Sequence, residues 1–180
     1  MGKNDRIISV ETSYSDGENA SYRLMSNGFE GESKSTWYSV SASVAIKGEG
    51  EARPSDYWYG SSLFYDKLPK TDIGSVALER VLRKLGQKKA KSGKYTMVVD
   101  PINSGRMLSP VLSALYGSSL QQKNSFLIDK LDQKVFSDKL TVMDDPHVIG
   151  ANGSRYFDNE GVATEHRPIF ENGVLKTYFF

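Results

Sequence analysis

The 180-residue chain contains no cysteine. Disulfide staples and thiolate metal sites are therefore excluded, and a reducing compartment suits the composition. Histidine is scarce, with only His147 and His166. Neither sign of charge dominates: 23 Lys and Arg face 22 Asp and Glu, for a formal net charge of +1. That balance argues against nucleic acid or an anionic membrane as a partner. No apolar run approaches the roughly 20 residues that span a bilayer. The opening residues, MGKNDRIISV, lack the apolar core of a signal peptide. A cytoplasmic protein is expected. Three motifs are missing as well: the GxxxxGK[ST] phosphate loop, the GxSxG nucleophile elbow and the HExxH zinc helix.

What is present reads as a mixed α+β domain with a real core. Residues 6–11 (RIISVE) and 21–26 (SYRLMS) have strand composition, with the polar SYSDGENA between them as a loop. Residues 36–47 alternate with period two. Tyr38, Val40, Ala42, Val44 and Ile46 share one face, and Trp37, Ser39, Ser41, Ser43 and Ala45 share the other, as a half-buried antiparallel strand requires. The hydroxyl-lined face is either solvated or packed closely by a ligand, which makes Ser39, Ser41 and Ser43 candidate peptide contacts. Residues 56–65 (DYWYGSSLFY) are the most aromatic stretch. Core packing explains them better than a binding platform.

A first helix begins after Thr71 or Asp72 as cap. It buries Ile73, Val76, Ala77, Val81, Leu82 and Leu85 and stops at Gly86. The lysine-rich KKAKSGK (88–94) reads as a solvated linker, and YTMVV (95–99) as a short strand. Met107, Leu108, Val111, Leu112 and Leu115 then form an apolar stripe at helical period, which predicts a second, buried helix that runs into a loop and a strand by Leu127. Pro110 interrupts it. Either the helix starts near Asn103 and kinks before Pro110, or Ser109 caps a shorter helix with Pro110 at its first position. The stripe favours the longer version, ending at Gly117. Residues 139–143 (KLTVM) suggest another strand. Pro168–Phe170 and Val174–Phe180 suggest a hairpin around Asn172-Gly173. The apolar ending VLKTYFF implies a neighbour beyond it, so the chain reads as one fragment, with a junction near residues 92–93.

Chemically active constellations are hard to find. His147 and His166 with Asp144, Asp145, Asp158, Glu160 and Glu165 could in principle hold a metal, but their spacing follows no ligand pattern. Asp144-Asp145-Pro146 is better read as turn chemistry. An independent hydrolase built on carboxylates and His147, or a pure scaffold, remain alternatives at this level.

The chain resembles the TldD/PmbA family, the so-called modulators of DNA gyrase, and within it the PmbA or TldE branch. The resemblance is carried by RLMSNGFEG (23–31), RPSDYWY (53–59), KSGKYTMVVDP (91–101), LSALYGSS (112–119), SFLIDKL (125–131), TVMDDPH (141–147) and FDNEGVATEHRPIFENGVLKTYFF (157–180). It implies part of a larger fold, a curved and mostly antiparallel sheet with two main helices on one side. It also implies membership of a two-component zinc protease that processes or degrades peptides. The TldD branch carries HExxxH on a helix. Laid on this chain, that motif falls on 109–114, with Ser109 for the first histidine, Pro110 for the glutamate and Ala114 for the second histidine. The resemblance thus implies no catalytic or metal-binding residue here. It implies a non-catalytic subunit beside a zinc-bearing, TldD-like partner, or a self-associating one.

Overall fold

A computed structural model describes residues 4–180; residues 1–3, the start of the segment read above for a leader, lie outside them. The chain divides into two compact units, one of residues 1–91 with 149–152 and one of residues 92–148 with 153–180.

The first unit is a three-stranded antiparallel sheet with one helix. β1 (Ile7–Leu24) and β2 (Glu30–Ile46) form a long hairpin, and β3 (Ser55–Ser62) adds to β2, in the order β1-β2-β3. β1 runs straight through SYSDGENA, so the expected loop is strand. Every residue from Ser9 to Leu24 has a partner on β2, as in Tyr14↔Val40 and Glu18↔Thr36. The polar composition that suggested a loop is that of a ribbon wetted on both faces. Alternation in β2 works as the pattern demands: Ala42, Val44 and Ile46 are buried. The helix α1 (Ile73–Leu82) packs Ile73, Ala77 and Val81 onto them to close the first core, with Trp58 and Leu85 at its rim. Asp72 caps α1 through its backbone alone, in the left-handed region at φ 65°, and Gly86 follows the helix at φ 72°.

Asp56 ties β3 to α1. Its carboxylate lies 3.6 Å from Arg80 Nε and 3.3 Å from Lys84 Nζ and is only 11% exposed. Burial pushes this carboxyl up, but the Tyr57 N–H together with Lys84 and Arg80 outweighs it and leaves the pKa below the ordinary value. The Arg80 guanidinium also lies over Trp58, 5.2 Å from the ring centre.

The second unit holds α2 (Pro101–Ser113), the short α3 (Gly117–Gln121) and a second antiparallel sheet in the order β4-β5-β6, made by Val142–Asp144, Arg167–Glu171 and Val174–Leu175. The α+β class therefore holds, with two small sheets where one curved sheet was expected. Asn172 and Gly173, at φ 49° and 79°, make the tight hairpin turn that their sequence announces. Leu115, Leu127, Ile169, Phe170 and Leu175 form the second core. Several expectations fail here: α2 stops at Ser113 and not at Gly117, and the second arm of the hairpin is strand only at Val174–Leu175. YTMVV is not a strand: its backbone is irregular, and Tyr95, Met97 and Val98 are exposed. The segment before Leu127 is α3 and turns instead of a strand, and the Ser125 hydroxyl accepts the Leu127 N–H where it ends. KLTVM contributes only its last two residues to β4.

Candidate functional site

The helix α2 carries the positions that matter most. Asp100 caps it by accepting the Ile102 N–H at 3.0 Å, and Pro101 occupies the first turn, where its missing N–H costs nothing. Pro110 sits inside the helix and leaves the Arg106 carbonyl without its intrahelical donor. That stretch is exposed to solvent, so water can take the carbonyl. The expected buried stripe is realised only at its end. Met107 and Leu108 are 54% and 36% exposed, whereas Val111 and Leu112 pack against the second core and Leu115 is fully buried. In the first two turns only Ile102 is half-buried, and the other residues are exposed.

Ser109 and Pro110 are exposed, while Ala114 is 7% exposed and forms the C-cap. The Ala114 carbonyl accepts the Ser125 hydroxyl at 2.6 Å. The end of the helix is also fixed by the carboxy-terminal strand, through Phe179 N–H to the Leu115 carbonyl at 2.9 Å and Gly117 N–H to the Phe179 carbonyl at 2.6 Å. A tetrahedral zinc site needs imidazole, thiolate or carboxylate donors. A hydroxyl, a proline ring and a core methyl group supply none, so these three residues do not fit the metal. Among the described residues, no group of three His, Asp or Glu stands close enough to hold one elsewhere.

Ser39, Ser41 and Ser43 line the face of the first sheet away from α1, all half-buried. The register sets Ser39 against Ser15 and Ser61, Ser41 against Ser13 and Tyr59, and Ser43 against Glu11 and Tyr57. Tyr57 and Tyr59 stack at 6.3 Å beside this hydroxyl floor and are about half exposed, so part of the aromatic stretch faces outward. Trp37 closes the far end over Gly17, where a Cβ would come within 2.5 Å of the indole nitrogen. The face thus sets a row of hydroxyls beside two stacked tyrosines.

His147 stands in the turn after β4. Its Nε2 is 3.2 Å from the Thr164 hydroxyl, and its ring stacks on Tyr156 at 5.7 Å. His166 does not join it in any described contact. Sequence reasoning missed Ser125, whose role depends on a backbone group eleven residues away, and the Asp56–Arg80–Lys84 cluster. Only the helical spacing of Arg80 and Lys84 hinted at the latter.

Two α+β units and a helix stripped of metal donors describe a chain related to metallopeptidases. Residues 1–85 match the central domain and residues 92–180 the C-terminal domain of the PmbA/TldA metallopeptidases, and the chain belongs to that family. It is 35% identical over 146 residues to the Metalloprotease PmbA homolog of Haemophilus influenzae, covering 80% of this chain and 32% of that relative. The fold superposes on a protein of Bacteroides thetaiotaomicron described as a candidate modulator of DNA gyrase. That match has a TM-score of 0.96 and 68% identity, over 100% of this chain and 41% of the other. TldE from Thermococcus kodakarensis shares the fold at a TM-score of 0.69 and 19% identity, over 93% of this chain and 38% of that one. The chain therefore spans about a third of the length of the curated relatives it matches. No helix among the described residues is long and apolar enough to cross a membrane.

Proposed function

We propose that this chain is part of a non-catalytic subunit in a TldD-type zinc metalloprotease complex, which processes or degrades peptides in the cytoplasm. One observation carries the reading: the positions where the TldD branch grips zinc hold Ser109, Pro110 and Ala114, and the last is tied into the core through Ser125. Zinc, with its power to activate water, belongs to the TldD-like partner.

In this reading Ser39, Ser41 and Ser43 form part of a wall facing the peptide.

Co-purification tests the proposal. The full-length protein should carry no stoichiometric zinc and cleave no unfolded peptide alone, and it should form a peptide-cleaving complex with an HExxxH-bearing homologue. Ser41→Lys should then lower turnover by the assembled complex. Autonomous, metal-dependent cleavage by the purified chain would overturn it.

A further inference from the structure

β1 is the edge strand of the first sheet, 18 residues or about 60 Å long, and backbone donors and acceptors point outward from alternate residues along it. Natural sheets protect such edges with charged side chains, lysine above all, with proline or with a covering element. Between Ile7 and Leu24 there is neither lysine nor proline. The strand instead exposes Val10 and Tyr14, 42% and 54% accessible, and three acids, Glu11, Asp16 and Glu18. Across the ladder these acids meet Ser43, Tyr38 and Thr36, and Lys34, diagonal to Glu18, pairs with Glu32 at 2.6 Å. A cleft of about 310 Å³ opens beside this edge, floored by Val10, Thr12, Val40 and Ala42 and bounded by Lys70 and Ile73 at the start of α1. Val10, Thr12, Asp16 and Glu18 all share the face on which the cleft lies, because side chains alternate along a strand.

We propose that the free edge of β1 binds an extended peptide as an added strand, with one bulky apolar side chain in the cleft and basic side chains against Asp16 and Glu18. Main-chain bonds supply affinity and the alternate side chains supply selection. The spacing defines the ligand. A residue opposite Thr12 and residues opposite Asp16 and Glu18 are separated by four and six positions, so the preferred sequence is apolar-x-x-x-basic-x-basic or its reverse. The proposal rests on the subunit reading only for the source of the peptide.

The test is fluorescence anisotropy on the full-length protein with the labelled peptides LTSTKTK and KTKTSTL, one for each strand direction. Saturable binding is expected, weaker at high salt. The peptide LTSTETE should bind about tenfold less tightly, because two attractive pairs become repulsive. N-methylation of alternate amides should abolish binding, since it removes the donors an added strand needs. The double variant Asp16→Lys, Glu18→Lys alters only exposed side chains and should reverse the preference between the basic and acidic peptides. No saturable binding, equal binding of the N-methylated peptide, or an unchanged preference in the double variant would each overturn the proposal. Turnover is not measured, so a failure here leaves the subunit reading standing. Autonomous cleavage would remove that reading without touching this one.

Discussion

Ser125 holds the end of α2 through the backbone of Ala114: its hydroxyl donates to the Ala114 carbonyl at 2.6 Å and accepts the Leu127 N–H at 3.0 Å. One side chain, 8% exposed, thus satisfies two backbone groups at once. Ser125→Ala should strand both of them in the second core and destabilise the protein by about 2 kcal/mol. Urea unfolding followed through the second unit measures this; a loss below a few tenths of a kcal/mol would show that the clamp is dispensable.

The same burial bears on any attempt to rebuild a metal helix. Ala114 packs in the core that contains Leu115 and Leu127. An imidazole at that position meets a filled space, and overpacking costs about 1–3 kcal/mol. Ala114→His should therefore lower the melting temperature without bringing stoichiometric zinc, as metal analysis of the purified variant would record.

Asp56 makes stability depend on acid. Its carboxyl has a folded-state pKa below the ordinary one, so its contribution is complete above the unfolded-state value. It is lost as the pH falls through the lower, folded-state value. Asp56→Asn should remove about 1–2 kcal/mol at neutral pH. The difference between variant and parent should shrink below pH 4, the region of the unfolded carboxyl. Thermal melts of both proteins across pH 3–7 check the sign; a constant difference would refute the assignment.

Gly173 is required by both conformation and space. It sits at φ 79°, and an added Cβ would overlap the Phe136 carbonyl oxygen. Gly173→Ala should cost more than about 2 kcal/mol. Asn172→Gly, at the neighbouring left-handed position, should be nearly neutral in the same unfolding experiment.

The sequence made several features legible for clear physical reasons. Period-two alternation in β2, the α1 stripe and the Asn172-Gly173 turn are local signals whose partners are supplied by the same short segment. The polar middle of β1 was misread because its strand character comes from pairing with β2, and composition does not encode that. The α2 stripe was correct in period, yet an apolar stripe states that a surface needs covering without naming what covers it. Met107 and Leu108 are the result. At the candidate site, the missing zinc donors could be read directly from residue types. The core tie of Ala114 could not, because Ser125 reaches it only after the chain has turned through α3.

Trp37 folded over Gly17 marks where the third strand ends: residues 17–24 of β1 pair with 30–37 of β2, while β3 reaches no further than Tyr38. Beyond that point the ribbon has neither a third strand nor a helix, and two strands alone are marginal in water. Deuterium uptake should therefore form a gradient along a single pair of strands, slowest near Val44 beneath α1 and fastest near Leu24 at the tip.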